Sequence, residues 1–160
     1  MTQRMMRREF LTASGLGAAA LLLGGTAMAA PSPEALRGLV EIDQNLFLGI
    51  NRGGDPAKRS VLEKKHAPVI EAPATVKAGE PFAVTVTVAE ILHPMGAAHY
   101  IEGIELFAGN EPAGRIRFSA DLSLPQATFH LKLAKGVTLV ARQYCNLHGL
   151  WESRLDLKVT

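Results

Sequence analysis

The chain has 160 residues, of which 17 are lysine or arginine and 15 are aspartate or glutamate, so its formal net charge is +2. This length suits a single domain. The sequence contains no basic tract of the kind that binds nucleic acid, so the composition argues against a nucleic-acid partner.

Residues 1–29 have the three parts of a cleavable export signal. Arg7 and Arg8 precede an apolar core over residues 18–23, and Ala27-Met28-Ala29 offers small residues at both positions of a cleavage site. The apolar run is too short for a membrane-spanning helix, which needs about 20 apolar residues. The paired arginines indicate the twin-arginine route. We therefore expect a periplasmic protein that has no membrane contact after cleavage and begins near Ala30.

Removal of this signal changes the charge of the chain. The signal contains three arginines and one glutamate, which leaves 14 basic and 14 acidic residues in the mature chain. The apparent basicity of the whole sequence therefore belongs mostly to the signal, and the mature domain is expected to be close to neutral.

Residues 30–60 are predicted to form a short amphipathic helix and a loop. Ser32 and Pro33 suit a helix start, and apolar residues recur at helical spacing from Leu36 to Phe47. Glycine, aspartate and proline then predict a loop over residues 51–56. Residues 61–160 follow as a separate segment and form the predicted functional domain.

The pattern of apolar residues changes to a period of two from about Val69. Phe82, Val84, Val86 and Val88 alternate with smaller or polar residues, as in a half-buried strand. Further strands are predicted over residues 100–107, 114–119, 127–133, 137–141 and 153–159, with turn residues in the gaps. Six or seven short strands separated by regular turns predict an all-β fold, an antiparallel β-sandwich.

Four of the five histidines and the only cysteine fall where predicted strands end. These residues are His66, His93, His99, Cys145 and His148. His130 instead alternates with apolar residues inside a predicted strand, so we expect it to point to solvent and to have no role. A lone cysteine in an exported protein is a free thiol, an intermolecular link or a metal ligand. Loops carried by a rigid sandwich are a usual place for a site.

Four imidazoles and one thiolate favour a redox metal site over a structural zinc site. Tetrahedral zinc needs four ligands, and five are on offer. Imidazole suits iron, copper and zinc alike. Four equatorial nitrogens and one axial sulfur would leave a sixth position open to a small molecule, and an axial thiolate pushes electron density toward that position.

Four stretches of this segment form a specific pattern. They are EKKHAPVIE at residues 63–71, His93-Pro94-Met95, HYIEGIEL at residues 99–106 and CNLHGLW at residues 145–151. In this order they closely resemble the superoxide reductases, the neelaredoxin and desulfoferrodoxin family, over roughly residues 61–160.

The resemblance implies a fold, a cofactor and an activity. The implied fold is an immunoglobulin-like sandwich that holds one iron ion in square-pyramidal geometry. The implied equatorial ligands are His66, His93, His99 and His148, and the implied axial ligand is Cys145. The implied activity is the reduction of superoxide to hydrogen peroxide, in a homotetramer. One cysteine cannot build a second, rubredoxin-like iron centre, so the chain is of the one-iron type.

Lys65 directly precedes the first histidine, where the family has a lysine, and the resemblance implies a catalytic role for it. A cation beside an open site attracts an anionic substrate, and it can orient the water that protonates the product. The family commonly has a glutamate immediately before this lysine, and that glutamate can occupy the sixth iron position in the oxidised state. Here Lys64 stands in that place, so we expect no carboxylate ligand unless Glu63, one residue earlier, reaches the metal.

Other functions remain open at this point. A cupredoxin-like electron carrier would use two histidines, one cysteine and a weak methionine ligand, with Met95 the nearest candidate, but two histidines would then have no role. A non-catalytic binding module that uses Cys145 explains the cysteine and not the histidines. Dismutation or sensing at the same iron site is also open. The expected partners are superoxide and an unidentified electron donor, and export separates the chain from the usual cytoplasmic donors.

Overall fold

The computed structural model describes residues 43–160, so the predicted signal peptide and most of the predicted N-terminal helix lie outside the described residues. The described part opens with a 3₁₀ turn, Gln44–Phe47. A second 3₁₀ turn, Pro56–Lys58, precedes the helix α1, Val61–His66. None of the helices within residues 43–160 is long and apolar enough to cross a membrane.

Most of the described chain is β-strand. The strands are β1 Ile50–Arg52, β2 Val69–Glu71, β3 Thr75–Val76, β4 Pro81–Thr87, β5 Ile101–Ala108, β6 Glu111–Arg117, β7 Gln126–Lys132, β8 Val137–Cys145 and β9 Gly149–Val159. The larger sheet has the order β1-β9-β8-β5-β6, with β3 also paired to β9, and the smaller sheet has the order β2-β4-β7. The predicted β-sandwich is therefore confirmed. Its pairs are antiparallel except where β1 and β3 each lie parallel to β9.

The core lies between the two sheets. On β4 the inward side chains of Val84 and Val86 have no exposed surface, and on β5 the same holds for Ile104 and Leu106. Burying one such side chain stabilises the fold by about 1.5–3 kcal/mol. The alternation of apolar and polar residues that predicted the strands thus corresponds to side chains that point alternately into this core and toward solvent.

The strands that lead to and from the cysteine are longer than predicted. β8 continues to Cys145 and β9 starts at Gly149, so only three residues separate them. The sequence does not show this continuation, because the charged Glu152 interrupts the apolar alternation of β9. In the structure Glu152 is buried in the sheet and accepts hydrogen bonds from Arg52 and Arg142. Because β8 and β9 are paired, both ends of the turn that carries Cys145 and His148 (the cysteine turn) are fixed on neighbouring strands.

Helix α1 was not predicted, although the sequence carries its start signal. Ser60 Oγ accepts from the backbone N–H of Glu63, and Glu63 Oε2 accepts from the backbone N–H of Ser60, which together form a capping box. Pro68 disfavours helical backbone at Ala67, where the chain becomes extended. The helix therefore ends at His66, one of the predicted ligands.

Three segments meet at one end of the sandwich. They are the end of α1, the segment between β4 and β5, and the turn between β8 and β9. The backbone N–H of Ile91 donates to the carbonyl of Lys64 at 3.0 Å, which joins the first two segments. Asn146 Nδ2 donates to the carbonyl of Ala98 at 3.0 Å, which joins the second and third. These bonds bring together residues that are far apart in sequence.

Candidate metal centre

The five side chains predicted as ligands lie together at this end of the sandwich. One nitrogen or sulfur atom from each of His66, His93, His99, Cys145 and His148 lies within 4.8 Å of the others. His66, His93 and Cys145 are buried, whereas His99 and His148 are half-buried. The group therefore has a protein-covered side and a side that faces solvent. His130 is exposed on β7 and is not part of the group, as predicted.

The four imidazoles form a ring in the order His66, His93, His99, His148. Neighbouring rings have centroids 4.4 to 4.8 Å apart and are turned by 68° to 78° to one another. His66 and His99 lie across the ring, with centroids 6.0 Å apart. Each imidazole thus meets its neighbours edge to face.

The sulfur lies below this ring. Cys145 Sγ is 3.6 Å from His93 Nε2 and 3.4 Å from His148 Nδ1, and these two histidines are opposite members of the ring. The sulfur thus lies close to two opposite members of the ring, and Cys145 is fully buried. This position agrees with the axial role that the family resemblance implies for Cys145.

The spacing of the ring atoms fits one metal ion. Nitrogens at right angles around an ion with bonds of about 2.1 Å would be roughly 3.0 Å apart. His66 Nε2 and His93 Nε2 are 3.1 Å apart, as are His99 Nε2 and His148 Nδ1. Imidazole nitrogen with thiolate sulfur is a donor set that iron accepts. The residues present therefore fit the single iron ion that the family resemblance implies.

Backbone carbonyls orient the two buried imidazoles. His66 Nδ1 is 2.7 Å from the carbonyl of Leu62, and His93 Nδ1 is 2.6 Å from the carbonyl of Pro94. A carbonyl only accepts, so each Nδ1 carries the proton and donates it. Each Nε2 is then free to bind metal, and the ring is held in place by a bond on its far side.

Burial keeps the histidines in the form that binds metal. It lowers the pKa of His66 to about 4 and the pKa of His93 to about 3, with the neighbouring histidines adding to both effects. Burial also lowers the pKa of His99 and of His148. Neutral imidazole is the form that ligates a metal, so the site does not need to lose protons from these four groups at neutral pH.

Two opposing effects act on the pKa of the Cys145 thiol. Burial raises the pKa of the Cys145 thiol, while the backbone N–H groups of Leu147 and His148 hydrogen-bond to the sulfur and lower it. A thiol must lose its proton to act as a ligand. A cation bound in the ring of histidines would add the charge that holds Cys145 as thiolate.

Lys65 and Glu63, which both precede His66, differ in their position. The positive charge of Lys65 contributes to the lowered pKa of His66 and of His99, so its ammonium group acts on imidazoles from opposite sides of the ring. Lys65 itself is half-buried. Its predicted catalytic role stays a prediction.

Glu63 is engaged away from the metal group. Its Oε1 accepts from the backbone N–H of Gly54 at 2.8 Å and its Oε2 from that of Ser60 at 2.7 Å. These two bonds lower the pKa of Glu63 to about 2. One carboxylate oxygen therefore caps α1 and the other holds the loop at Gly54, and no carboxylate joins the metal group within the described residues.

Three residues around the ligands support them. Asn146 Oδ1 accepts from the backbone N–H of Tyr100, next to His99, at 2.9 Å. Trp151 Nε1 donates to the carbonyl of His148 at 2.8 Å. Gln143 Nε2 donates to the carbonyl of His66 at 2.9 Å. The sequence did not single out Gln143, because no local motif surrounds it.

Known proteins share this sequence pattern and this fold. The family model for desulfoferrodoxin matches residues 58–154. A superoxide reductase of Pyrococcus horikoshii is 40% identical over 105 residues, covering 59% of this chain and 89% of that protein. A desulfoferrodoxin of Desulfarculus baarsii is 36% identical over 115 residues, covering 72% of this chain and 78% of that protein.

A solved structure agrees with these relatives. The superoxide reductase (neelaredoxin) from Ignicoccus hospitalis has a TM-score of 0.55 and 46% sequence identity, covering 59% of this chain and 81% of that one. The matched segment contains all five predicted ligands. The chain belongs to the desulfoferrodoxin family.

Proposed function

We propose that this protein is a superoxide reductase, which converts superoxide to hydrogen peroxide with one electron and two protons. The observation that carries the proposal is the ring of four imidazoles above one buried thiolate sulfur. When bound there, one iron ion supplies the electron, and its change between the two oxidation states is the redox chemistry of the reaction. His66, His93, His99, His148 and Cys145 would hold this ion.

Lys65 guides the substrate to the site. Its positive charge contributes to the lowered pKa of His66 and of His99, which supports a position close to the ring of imidazoles. Superoxide is an anion, so a cation at this position raises its local concentration. The same ammonium group holds a water molecule whose proton is delivered to the reduced product.

The covered side of the site favours the thiolate. Cys145 has no exposed surface, and Leu147 and His148 direct N–H groups at its sulfur. Hydrogen bonds to a ligating sulfur tune how strongly it donates to the metal. The exclusion of water from this side leaves the solvent-facing side as the one that substrate enters.

Superoxide kinetics test the proposed activity. The mature chain, loaded with ferrous iron, is mixed with superoxide generated by pulse radiolysis, and both the loss of superoxide and the formed peroxide are measured. A reductase yields one peroxide for each superoxide consumed. A yield of one peroxide for every two superoxide molecules would identify a dismutase and contradict the proposal.

The electron comes from a separate donor that docks beside the site. The side chains of Ile91 and Leu92 are 42% and 55% exposed, and Leu92 directly precedes the ligand His93. Exposed apolar residues at such a position suit a small, transient interface with an electron-transfer protein. With ascorbate as an artificial donor for comparison, Leu92→Ser should slow reduction by a donor protein only, and equal slowing with both donors would contradict this docking site.

The chain works in the periplasm after export of the folded protein. Arg7, Arg8 and the Ala27-Met28-Ala29 sequence support this location. Replacement of both arginines by lysine should retain the precursor in the cytoplasm, and mass spectrometry of the wild-type protein should find a mature N-terminus near Ala30. Export that is unaffected by the two substitutions would contradict the twin-arginine route.

The mature protein assembles as a homotetramer, which is the assembly that the family resemblance implies. Light scattering during size-exclusion chromatography measures the mass directly. A mass near four times that of the mature chain supports the assembly, and a monomer mass at micromolar concentration contradicts it.

A further inference from the structure

Gln143 links β8, the strand that ends at Cys145, to α1, the helix that ends at His66. It lies on the inward face of β8, two residues before Cys145, and only 1% of its surface is exposed. Its Nε2 donates to the backbone carbonyl of His66 at 2.9 Å. This carbonyl lies at the C-terminal end of α1, where the last carbonyls of a helix have no partner within the helix. One side chain therefore links the axial and equatorial parts of the site.

The same amide is unfavourable for folding at its other end. Gln143 Oε1 is buried and has no hydrogen-bond partner among the described residues. A buried acceptor without a donor destabilises a fold, and such groups in native proteins call for an explanation. An apolar side chain of the same size would avoid this loss. The benefit of glutamine at this position therefore lies in the Nε2 contact.

The neighbour of Gln143 on β9 holds the same histidine. Gln143 and Trp151 are direct partners in the pairing of β8 with β9. The indole of Trp151 stacks on the ring of His66, with centroids 5.3 Å apart. His66 is thus held at its backbone by one strand and at its ring by the next, on the two strands that carry the cysteine turn.

We propose that Gln143 is a positioning residue of the metal centre, which holds His66 at the correct distance from the axial sulfur of Cys145. This inference rests on the proposed function for the identity of the metal. Gln143 does not touch the metal itself, and it acts through the carbonyl of His66. It keeps α1 against β8 so that the ring of four imidazoles stays centred over the sulfur.

Gln143→Met tests this role, because methionine has a similar length and volume and no amide. Gln126→Met is the matched control, since Gln126 is an exposed residue of β7 whose Nε2 donates to Thr87 Oγ1. We expect ferrous iron to bind Gln143→Met about tenfold more weakly than wild type, with a displaced thiolate-to-iron absorption band. The thermal midpoint of the metal-free variant should stay close to that of wild type, because the substitution removes the unpartnered Oε1 of Gln143 but leaves the carbonyl of His66 without this donor. The control should match wild type throughout.

Two results would overturn the inference. One is unchanged iron affinity with an unshifted band. The other is a metal-free midpoint that falls together with the affinity, in Gln143→Met and also in Gln143→Leu, because that result means Gln143 supports the fold only. The affinity for cobalt(II) is measured in parallel. The affinity of the variant can then be compared with that of wild type whichever metal the chain prefers. Absence of superoxide reduction would therefore contradict the proposed function without affecting this comparison.

Discussion

The indole ring of Trp151 stacks on the imidazole of His66, with 27° between the two planes. The same indole donates from Nε1 to the carbonyl of His148 at 2.8 Å. One buried side chain of β9 thus contacts ligands that come from the two ends of the described chain. It ties the ring of His66 to the cysteine turn.

Trp151→Phe separates the two contacts of this residue. Phenylalanine keeps an aromatic face against His66 and loses the N–H that the carbonyl of His148 accepts. Because a half-buried carbonyl then has no donor, we expect the free energy of unfolding of the metal-free protein to fall by about 1 kcal/mol. Urea denaturation measures this change. Trp151→Leu, which also removes the stacking surface, should destabilise the protein further, and equal stability of the two variants would show that the stacking contributes nothing.

Lys65→Ala should slow the encounter with superoxide while the metal stays bound. We expect the second-order rate constant at low ionic strength to fall by roughly tenfold, with a weaker dependence on added salt, because a steering charge near the site is lost. Pulse radiolysis over a series of salt concentrations gives both quantities.

Lys64→Ala is the matched control for Lys65, since it removes the same charge one residue farther from His66. We expect a smaller loss of rate from this variant. An equal loss from both variants would mean that only net charge matters, and an unchanged rate for Lys65→Ala would remove Lys65 from the mechanism.

Glu63→Ala tests whether this carboxylate belongs to the helix or to the metal. Its oxygens accept from the backbone N–H of Gly54, in the preceding loop, and from that of Ser60, at the start of α1. We expect the variant to be less stable, as for the loss of other helix caps, and the optical spectrum of the oxidised protein to be identical to wild type. Glu63→Gln is the control that keeps one capping acceptor. A shifted spectrum in both variants would instead make Glu63 a ligand of the oxidised metal.

Glu152 should make the stability of the sheet sensitive to acid. Burial raises its pKa, but hydrogen bonds from Arg154, Arg142 and Arg52 outweigh this effect and lower the pKa from 4.5 to about 2. A lowered pKa means that the ionised carboxylate stabilises the fold above pH 4.5, and that this contribution disappears as the pH falls toward 2. The difference corresponds to about 3 kcal/mol at neutral pH.

Glu152→Gln should therefore destabilise the metal-free protein by about 3 kcal/mol at pH 7 and by roughly half of that or less at pH 3. Urea denaturation at both pH values measures the difference, with Glu111→Gln on the exposed edge of β6 as the control. The histidines titrate in both proteins and cancel from the comparison. A loss of stability that is independent of pH would contradict the assigned ionisation.

The ligands and the sandwich could be predicted because their signals are local. Imidazole and thiol are the side chains that bind transition metals, and Cys145 and His148 lie in one short turn. The valines of β4 show their alternation within seven residues. Helix α1 was not predicted because six residues are too few to show a helical period, although Ser60 and Glu63 form the capping-box pattern of a helix start.

The support of the site could not be predicted, because its contacts join residues far apart in sequence. Gln143 and His66 are separated by 77 positions, and no pattern near either residue indicates the bond between them. The buried Glu152 was missed for a similar reason. A charge inside a strand interrupts the expected alternation, and only the fold shows that arginines from three strands surround it.

The most direct test of the central claim is metal analysis of the oxidised mature protein together with its optical spectrum. We expect one iron per chain and a thiolate-to-ferric absorption band in the red, and we expect this band to be absent from Cys145→Ser. An intense blue band with copper in place of iron, or a red band that persists in Cys145→Ser, would contradict it.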